Sequence, residues 1–385
     1  MFLNRNRLTQ YLGYAFVLLA SALLLACGGG SDSGSSTAMR SSCVLIDNDY
    51  DIDDMMAIPL VVGSQYVAAI VQSEGYTMPE QSAPAIEQLI NNLPDQPNQR
   101  KIPIIVGGQQ GADGRQDLTR WSWLPFFRSM MNLSNGLFST LPTPAQSNSA
   151  YAQQVANSVA SCSSVSVLII GTYTSFINYS PLIRDKISKV VIMGQGIRDD
   201  STTPGKESFN CNYDFSACET AMDQLVGLNA FFVDIPRISG CASANPSADC
   251  YSPSYQMVAG GGGTVGLNTN GLPSRLKSAL MSTNGFACSW PSGMPQVPGT
   301  LCNSQSTWVP ADVYAGPGGE MLLWDQTAAL FMLHPEIFEP IPPSPGTPGR
   351  YHYEPTLVDG SYALTIQRLR QLWTQDTNRA TTFYQ

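Results

Sequence analysis

The chain has 385 residues, 43% of them hydrophobic and 13% charged, with 29 acidic against 20 basic side chains. That is enough apolar material for a substantial core. The acidic balance speaks against binding a nucleic-acid backbone and is compatible with a metal cation or a neutral small molecule.

Arg5 and Arg7 precede an uncharged apolar run, Tyr11 to Ala26, followed by "LLLACGGG". The pattern predicts a secretory signal over 1–26 of the lipoprotein type, with Cys27 taking lipid and becoming the N-terminus. The run is shorter than the ~20 residues a spanning helix needs. Residues 27–42 read as a flexible Gly/Ser tether, and Gly28 in place of Asp points to an outer-membrane destination. Loss of the two arginines leaves 18 basic and 29 acidic residues, a net charge of 18 − 29 = −11. Eight further cysteines suit disulfides in an exported protein. Cys211 with Cys218, Cys241 with Cys250, and Cys288 with Cys302 are local candidates, leaving Cys43 for Cys162. Sequence alone admits on the order of a hundred connectivities.

Buried strands are expected at 43–47, 67–73, 102–108, 165–171, 189–196 and 229–235, with helices at 53–62, 80–92, 150–161, 174–184 and 215–226. Such alternation predicts an α/β fold, a mainly parallel central sheet with helices on both faces. One domain should span 43–385. From about 236 to 320 Gly, Pro, Ser and paired Cys break the pattern into an expected disulfide-rich insertion. Helices resume at 324–333 and 361–373. "GGGTVG" (261–266) has the spacing of a phosphate loop but no preceding strand, and reads as a flexible loop.

Ligands of a parallel sheet bind beyond the carboxyl ends of its strands. At the first such end lies "VLIDNDYDIDDMMAI", with Asp47, Asp49, Asp51, Asp53 and Asp54 inside eight residues. Strand alternation puts Asp47 and Asp49 on one side, and Asp53 and Asp54 fall where a helix N-terminus favours anions. A hard divalent cation among Asp47, Asp49 and Asp54 would relieve the remaining repulsion, and an all-oxygen site fits calcium. Asp51 is left over. The EF-hand spacing is missing.

The D-x-D-x-x-x-D-D spacing resembles the inosine–uridine nucleoside hydrolase family. "VAAIVQSEGYTMPE", "IPIIVGG", "LIIGTYTSFI", "VVIMGQG", "FNCNYDFSA" and "LLWDQTAALFMLHPEIF" are similar to further family segments in the same order, over about 43–340. The resemblance implies calcium held by Asp49, Asp54, the backbone carbonyl of Ile170 and Asp325, with Asp49 as general base toward water. It implies that Asp53 and Asn210 hold the ribose of a nucleoside substrate. The reaction would pass through an oxocarbenium-like sugar, as glycoside hydrolysis does.

The chain departs from the family pattern at several places. Ser208 stands where the family has Glu, with Glu207 one residue away, and Tyr76 replaces an Asn. Trp324 replaces the His before the late Asp. A purine-preferring branch carries Trp-Asp there and stacks the base between aromatic rings; Trp121 or Trp123 could supply the second ring. His334 and His352, the chain's two histidines, read as structural. The implied activity is calcium-dependent cleavage of purine-leaning ribonucleosides by a lipid-anchored envelope enzyme. The altered residues leave open a non-catalytic nucleoside- or sugar-binding lipoprotein, or a hydrolase of another N-glycoside. The oligomeric state is open as well.

Overall fold

The computed structural model describes residues 42–51, 53–91, 101–109, 124, 128, 143–194, 208–233, 301–302, 308–309, 324–342, 350–361, 364–365, 368–369, 371–373 and 375–376. The chain divides into two units, Met1–Ala38 and Met39–Gln385, and all of these residues belong to the second.

Strands β1 (Cys43–Asn48), β2 (Val67–Gln72), β3 (Ile104–Val106), β4 (Val165–Ile169), β5 (Ile187–Met193) and β6 (Ala230–Val233) alternate with helices. The helices are α1 (Asp54–Ser64), α2 (Pro79–Asn91), α3 (Asn148–Ser158), α4 (Phe176–Ile183), α5 (Phe209–Tyr213) and α6 (Phe215–Gln224). Local chemistry fixes some starts: Ser147 caps α3 through the Ala150 amide, and Asp214 caps α6 through the Ala217 amide. After a two-residue pairing of β7 (Leu301–Cys302) with β8 (Trp308–Val309) come α7 (Trp324–Leu333), β9 (Phe338–Ile341) and β10 (His352–Pro355).

The eight-stranded sheet has the order β3-β2-β1-β4-β5-β6-β10-β9 and is parallel except for β9. Strands β1 and β2 are buried along their whole length, as strands covered on both faces must be. The pleat sends Val44 and Ile46 into a core shared with α1, α2 and α7. Cys43 and Leu45 go to the opposite core, with α3, α4 and α6. Strand order reverses between β1 and β4, so the chain leaves their carboxyl ends in opposite directions and opens a crevice there.

The expected strands and the helices expected up to 324–333 are present with ends moved by a few residues, and the parallel sheet between helical layers is as read. The expected helix 361–373 falls only in part within the described residues, which are helical at 364–365, 368–369 and 371–373. Cys43 is bonded to Cys162, which precedes β4, the strand hydrogen-bonded to β1. Cys211 is bonded to Cys218. The antiparallel β9–β10 edge and the short α5 were not anticipated. Most of 236–320, the signal segment, the tether up to residue 41, and the side chains of Cys241, Cys250, Cys288 and Cys302 lie outside the described residues.

Candidate active site

The site forms where β1 stops. Asn48 is its last residue, and Tyr50 takes φ 55°, a left-handed conformation that a side-chain residue adopts at some cost. The turn is tied off when the Asp51 amide donates to Asp54 Oδ2 at 2.7 Å. Asp53 precedes α1 and Asp54 begins it. Helix α7 packs against α1 and carries Asp325 in its own first turn. Carboxylate oxygens of Asp53, Asp54 and Asp325 lie within 4.8 Å of one another. Asp49 completes the group by contact with Asp54.

These four carboxylates are 5% exposed or less, and they repel one another. Burial above all, with mutual repulsion added, pushes Asp54 and Asp325 far above the usual carboxylate range. Burial pushes Asp53 up to about 7 and Asp49 up to about 6. Asp54 Oδ1 and Asp325 Oδ1 are buried without a hydrogen-bond partner. Helix N-termini repay only ~1 kcal/mol per charge. A compact set of buried carboxylate oxygens with spare lone pairs is the donor set of a hard divalent cation, so the residues fit the metal that the sequence implied.

Asp47 does not join them. Ser73 Oγ donates to Asp47 Oδ1 at 2.6 Å and Tyr179 Oη to Oδ2 at 3.0 Å. Ser73 Oγ also lies 2.6 Å from Ser175 Oγ. The expectation of Asp47 and Asp49 on one side fails because the pleat ends at Asn48, one residue before Asp49, so strand alternation no longer governs it. Asp51, the leftover, is 4% exposed and near enough to Asp325 to add to its repulsion.

The loops after the neighbouring strands close around Asp49. After β2, the Tyr76 amide donates to Asp49 Oδ2 at 2.9 Å, and Thr77 Oγ1 donates to the Asp49 carbonyl at 2.6 Å. Gly75 has no alternative here, since a Cβ would sit 2.0 Å from Asp49 Oδ2. After β4, a Cβ on Gly171 would sit 2.5 Å from the Asn48 carbonyl carbon; this close approach brings the Ile170 carbonyl to the end of β1. Asn210, on α5, donates its Nδ2 to that carbonyl at 2.9 Å. Ser208 precedes α5, and the Tyr76 ring lies 4.2 Å from that of Phe209.

The structure thus gathers Asp49, Asp53, Asp54, Asp325, Ile170, Asn210 and Tyr76 at one strand-end crevice. Trp324 is the first residue of α7; its side chain, and Glu207, Trp121 and Trp123 altogether, lie outside the described residues. The histidines are elsewhere: His334 Nε2 meets Asp376 Oδ2 at 2.6 Å, and His352 packs on Phe232. The sequence reading missed Glu74, Arg128 and Tyr213. Tyr213 Oη donates to Glu74 Oε1 at 2.6 Å, and Arg128 Nη2 lies 3.3 Å from the same oxygen. Glu74 was legible as a carboxylate beyond a strand end; Arg128 carried no signal.

A sequence profile of the inosine-uridine preferring nucleoside hydrolase family matches residues 44–378. The chain belongs to this family. It is accordingly an N-glycosyl hydrolase, acting on the N-glycosidic bond of ribonucleosides. The nucleoside hydrolase fold recurs among solved structures. The purine-preferring ribonucleoside hydrolase from Gardnerella vaginalis is 16% identical with a TM-score of 0.53, over 89% of this chain and 99% of that one. The inosine-guanosine nucleoside hydrolase is 14% identical with a TM-score of 0.51, over 86% and 98%. The effector protein XOO4466 is 12% identical with a TM-score of 0.55, over 89% and 94%. At these identities the likeness is one of fold. No curated protein sequence gave a significant match.

Proposed function

We propose that this nucleoside hydrolase depends on calcium, prefers purine ribonucleosides and works as a lipid-anchored enzyme of the cell envelope. The observation that carries the metal assignment is the buried group Asp53, Asp54 and Asp325, with two carboxylate oxygens lacking any partner. Asp49, Asp54, Asp325 and the Ile170 carbonyl would hold the cation. Bound there, a divalent cation supplies Lewis acidity that acidifies water and anchors a sugar diol.

The chain's own residues do the rest. Asp49 takes the proton of the attacking water as general base. The Tyr76 amide fixes one of its oxygens and so aims the other. Asp53 accepts a hydrogen bond from a ribose hydroxyl, and Asn210 holds the sugar from helix α5. As the C–N bond lengthens the sugar becomes oxocarbenium-like, and the nearby carboxylates stabilise its positive charge. His334 pairs with Asp376 and His352 packs on Phe232, so in this reading no imidazole serves as acid: the base departs with the C–N electron pair as its anion and takes its proton from water. Purine preference rests on Trp324, whose position in sequence next to Asp325 suits stacking on a flat base, with Trp121 or Trp123 as candidates for the second ring. Tyr76, Ser208 and Glu207 shape the remaining sugar wall.

The envelope assignment rests on residues 1–27, and the Cys43–Cys162 and Cys211–Cys218 bonds suit an oxidising compartment. Among the described residues no helix is long and apolar enough to cross a membrane. The attachment in this reading is lipid on Cys27. Residues 27–42 act as tether, and 236–320 form an insertion in one domain over 43–385.

The deciding experiment measures ribose release from inosine, guanosine, adenosine, uridine and cytidine, with calcium and with chelator. Calcium-dependent release favouring the purines is expected. Equal turnover after exhaustive chelation overturns the metal assignment, and a pyrimidine preference overturns the role of Trp324.

A further inference from the structure

Arg128 sits beside the site without touching the carboxylate cluster. Its side chain is 13% exposed. Its Nη2 donates to the Gly75 carbonyl at 2.7 Å and to Tyr213 Oη at 2.6 Å, and approaches Glu74 Oε1 at 3.3 Å. Its Nε reaches the same Gly75 carbonyl at 3.2 Å. The guanidinium carbon lies 5.7 Å from the centre of the Tyr213 ring. Two nitrogens of one rigid fork therefore grip a single carbonyl oxygen, and Glu74 and Tyr213 hold one of those nitrogens, Nη2.

The carbonyl gripped is half of one peptide group, Gly75–Tyr76. The other half, the Tyr76 N–H, donates to Asp49 Oδ2 at 2.9 Å. A planar peptide thus links a cation at its oxygen to a carboxylate at its nitrogen. Hydrogen bonds in series polarise one another, more so where water is excluded. The guanidinium draws electron density toward the carbonyl oxygen, which strengthens the N–H as a donor. The absence of a side chain on Gly75 lets the peptide come this close.

We propose that Arg128 is a positioning residue for catalysis, acting through the Gly75–Tyr76 peptide to hold the Asp49 carboxylate in its reactive orientation. The proposal rests on the reading of Asp49 as general base. Arg128 touches neither substrate nor cation; it sets where one oxygen of Asp49 points, and small misplacements of a catalytic group are costly in rate. Glu74 neutralises the buried guanidinium and Tyr213 orients it, giving the Glu74–Arg128–Tyr213 group a purpose beyond packing.

The test compares steady-state kinetics of the calcium-loaded enzyme carrying Arg128→Met, Arg128→Lys and the double change Arg128→Met with Glu74→Gln. The double variant leaves no unpaired buried carboxylate if Arg128→Met alone folds poorly. Expected are a fall in kcat of about 10- to 100-fold, KM within a few fold, and partial recovery of kcat by added guanidinium. Lysine, a point charge without the fork, should fall in between. A kcat within twofold of wild type in the double variant overturns the proposal. So does a rise in KM alone, which marks a substrate contact. Loss that tracks melting temperature and resists guanidinium overturns it too, marking a structural role. Asp49→Asn is measured in parallel: turnover surviving there overturns the base assignment itself, whereas an inactive Asp49→Asn beside an unaffected Arg128 variant overturns the relay alone.

Discussion

Two aspartates separated by one residue occupy opposite electrostatic situations. Asp47 lies in a pocket of hydroxyls, with Ser73 and Tyr179 donating to its two oxygens. Asp49 lies with Asp53, Asp54 and Asp325, where buried oxygens of Asp54 and Asp325 have no donor. Burial raises all of them, but only the second group stays unbalanced. A satisfied buried carboxylate is structural. A donor-poor group at a crevice is a site prepared for a cation.

The sharpest way to break this contrast is to neutralise each side. Asp49→Ala is expected to cost about 10²–10⁴-fold in kcat, the usual worth of a general base, with Asp54→Asn and Asp325→Asn losing calcium binding by titration calorimetry. Asp47→Asn keeps one acceptor for the hydroxyls. It should leave calcium affinity within a few fold and lower melting temperature instead. Equal loss of calcium in both groups would erase the distinction.

Next in size is Gly75→Ala. The added methyl has no room beside Asp49 Oδ2, so kcat should fall by about a hundredfold while the fold, read by circular dichroism, persists.

The linkage between pH and stability sharpens the same comparison. Asp47 and Asp53 are raised to about 7 and Asp49 to about 6. A carboxyl raised on folding binds its proton more tightly folded than unfolded. Its stabilisation is therefore complete below the unfolded value near 4 and lost as pH rises through 6–7. The metal-free enzyme should melt higher at pH 5 than at pH 7.5. Calcium should raise the melting temperature most at pH 7.5 and flatten this dependence, because cation and protons compete for the same oxygens. A metal-free protein that is most stable at pH 7.5 would contradict the placement of these carboxylates.

The smallest effect concerns the Cys211–Cys218 bond, which closes a short loop beside Asn210. Its replacement by serines should raise KM a few fold, through Asn210, while costing less stability than loss of Cys43–Cys162. The latter closes a loop with separation 119, where chain entropy alone predicts about 4–5 kcal/mol. Denaturant titration of both serine pairs checks the order.

The sequence by itself determined the alternating strands and helices, because apolar runs bounded by polar turns leave a parallel sheet little freedom. It also marked the acid-rich end of β1, since five close carboxylates are too costly to keep without use. The Cys43–Cys162 pairing was one candidate among many connectivities in the sequence, and the structure forms that bond. The family resemblance already grouped Asp49, Asp53, Asp54 and Asp325; the tertiary structure decided that Asp47 stands apart from them. Period-two alternation holds while the pleat lasts, and here it ends at Asn48, after which a left-handed Tyr50 redirects the chain. Asp325 meets Asp53 and Asp54 because α7 packs on α1, a long-range event with no local signature. Arg128 was invisible for the same reason: its meaning lies in the carbonyl it grips, and backbone carbonyls are alike in every sequence until the fold gives one of them a particular neighbour.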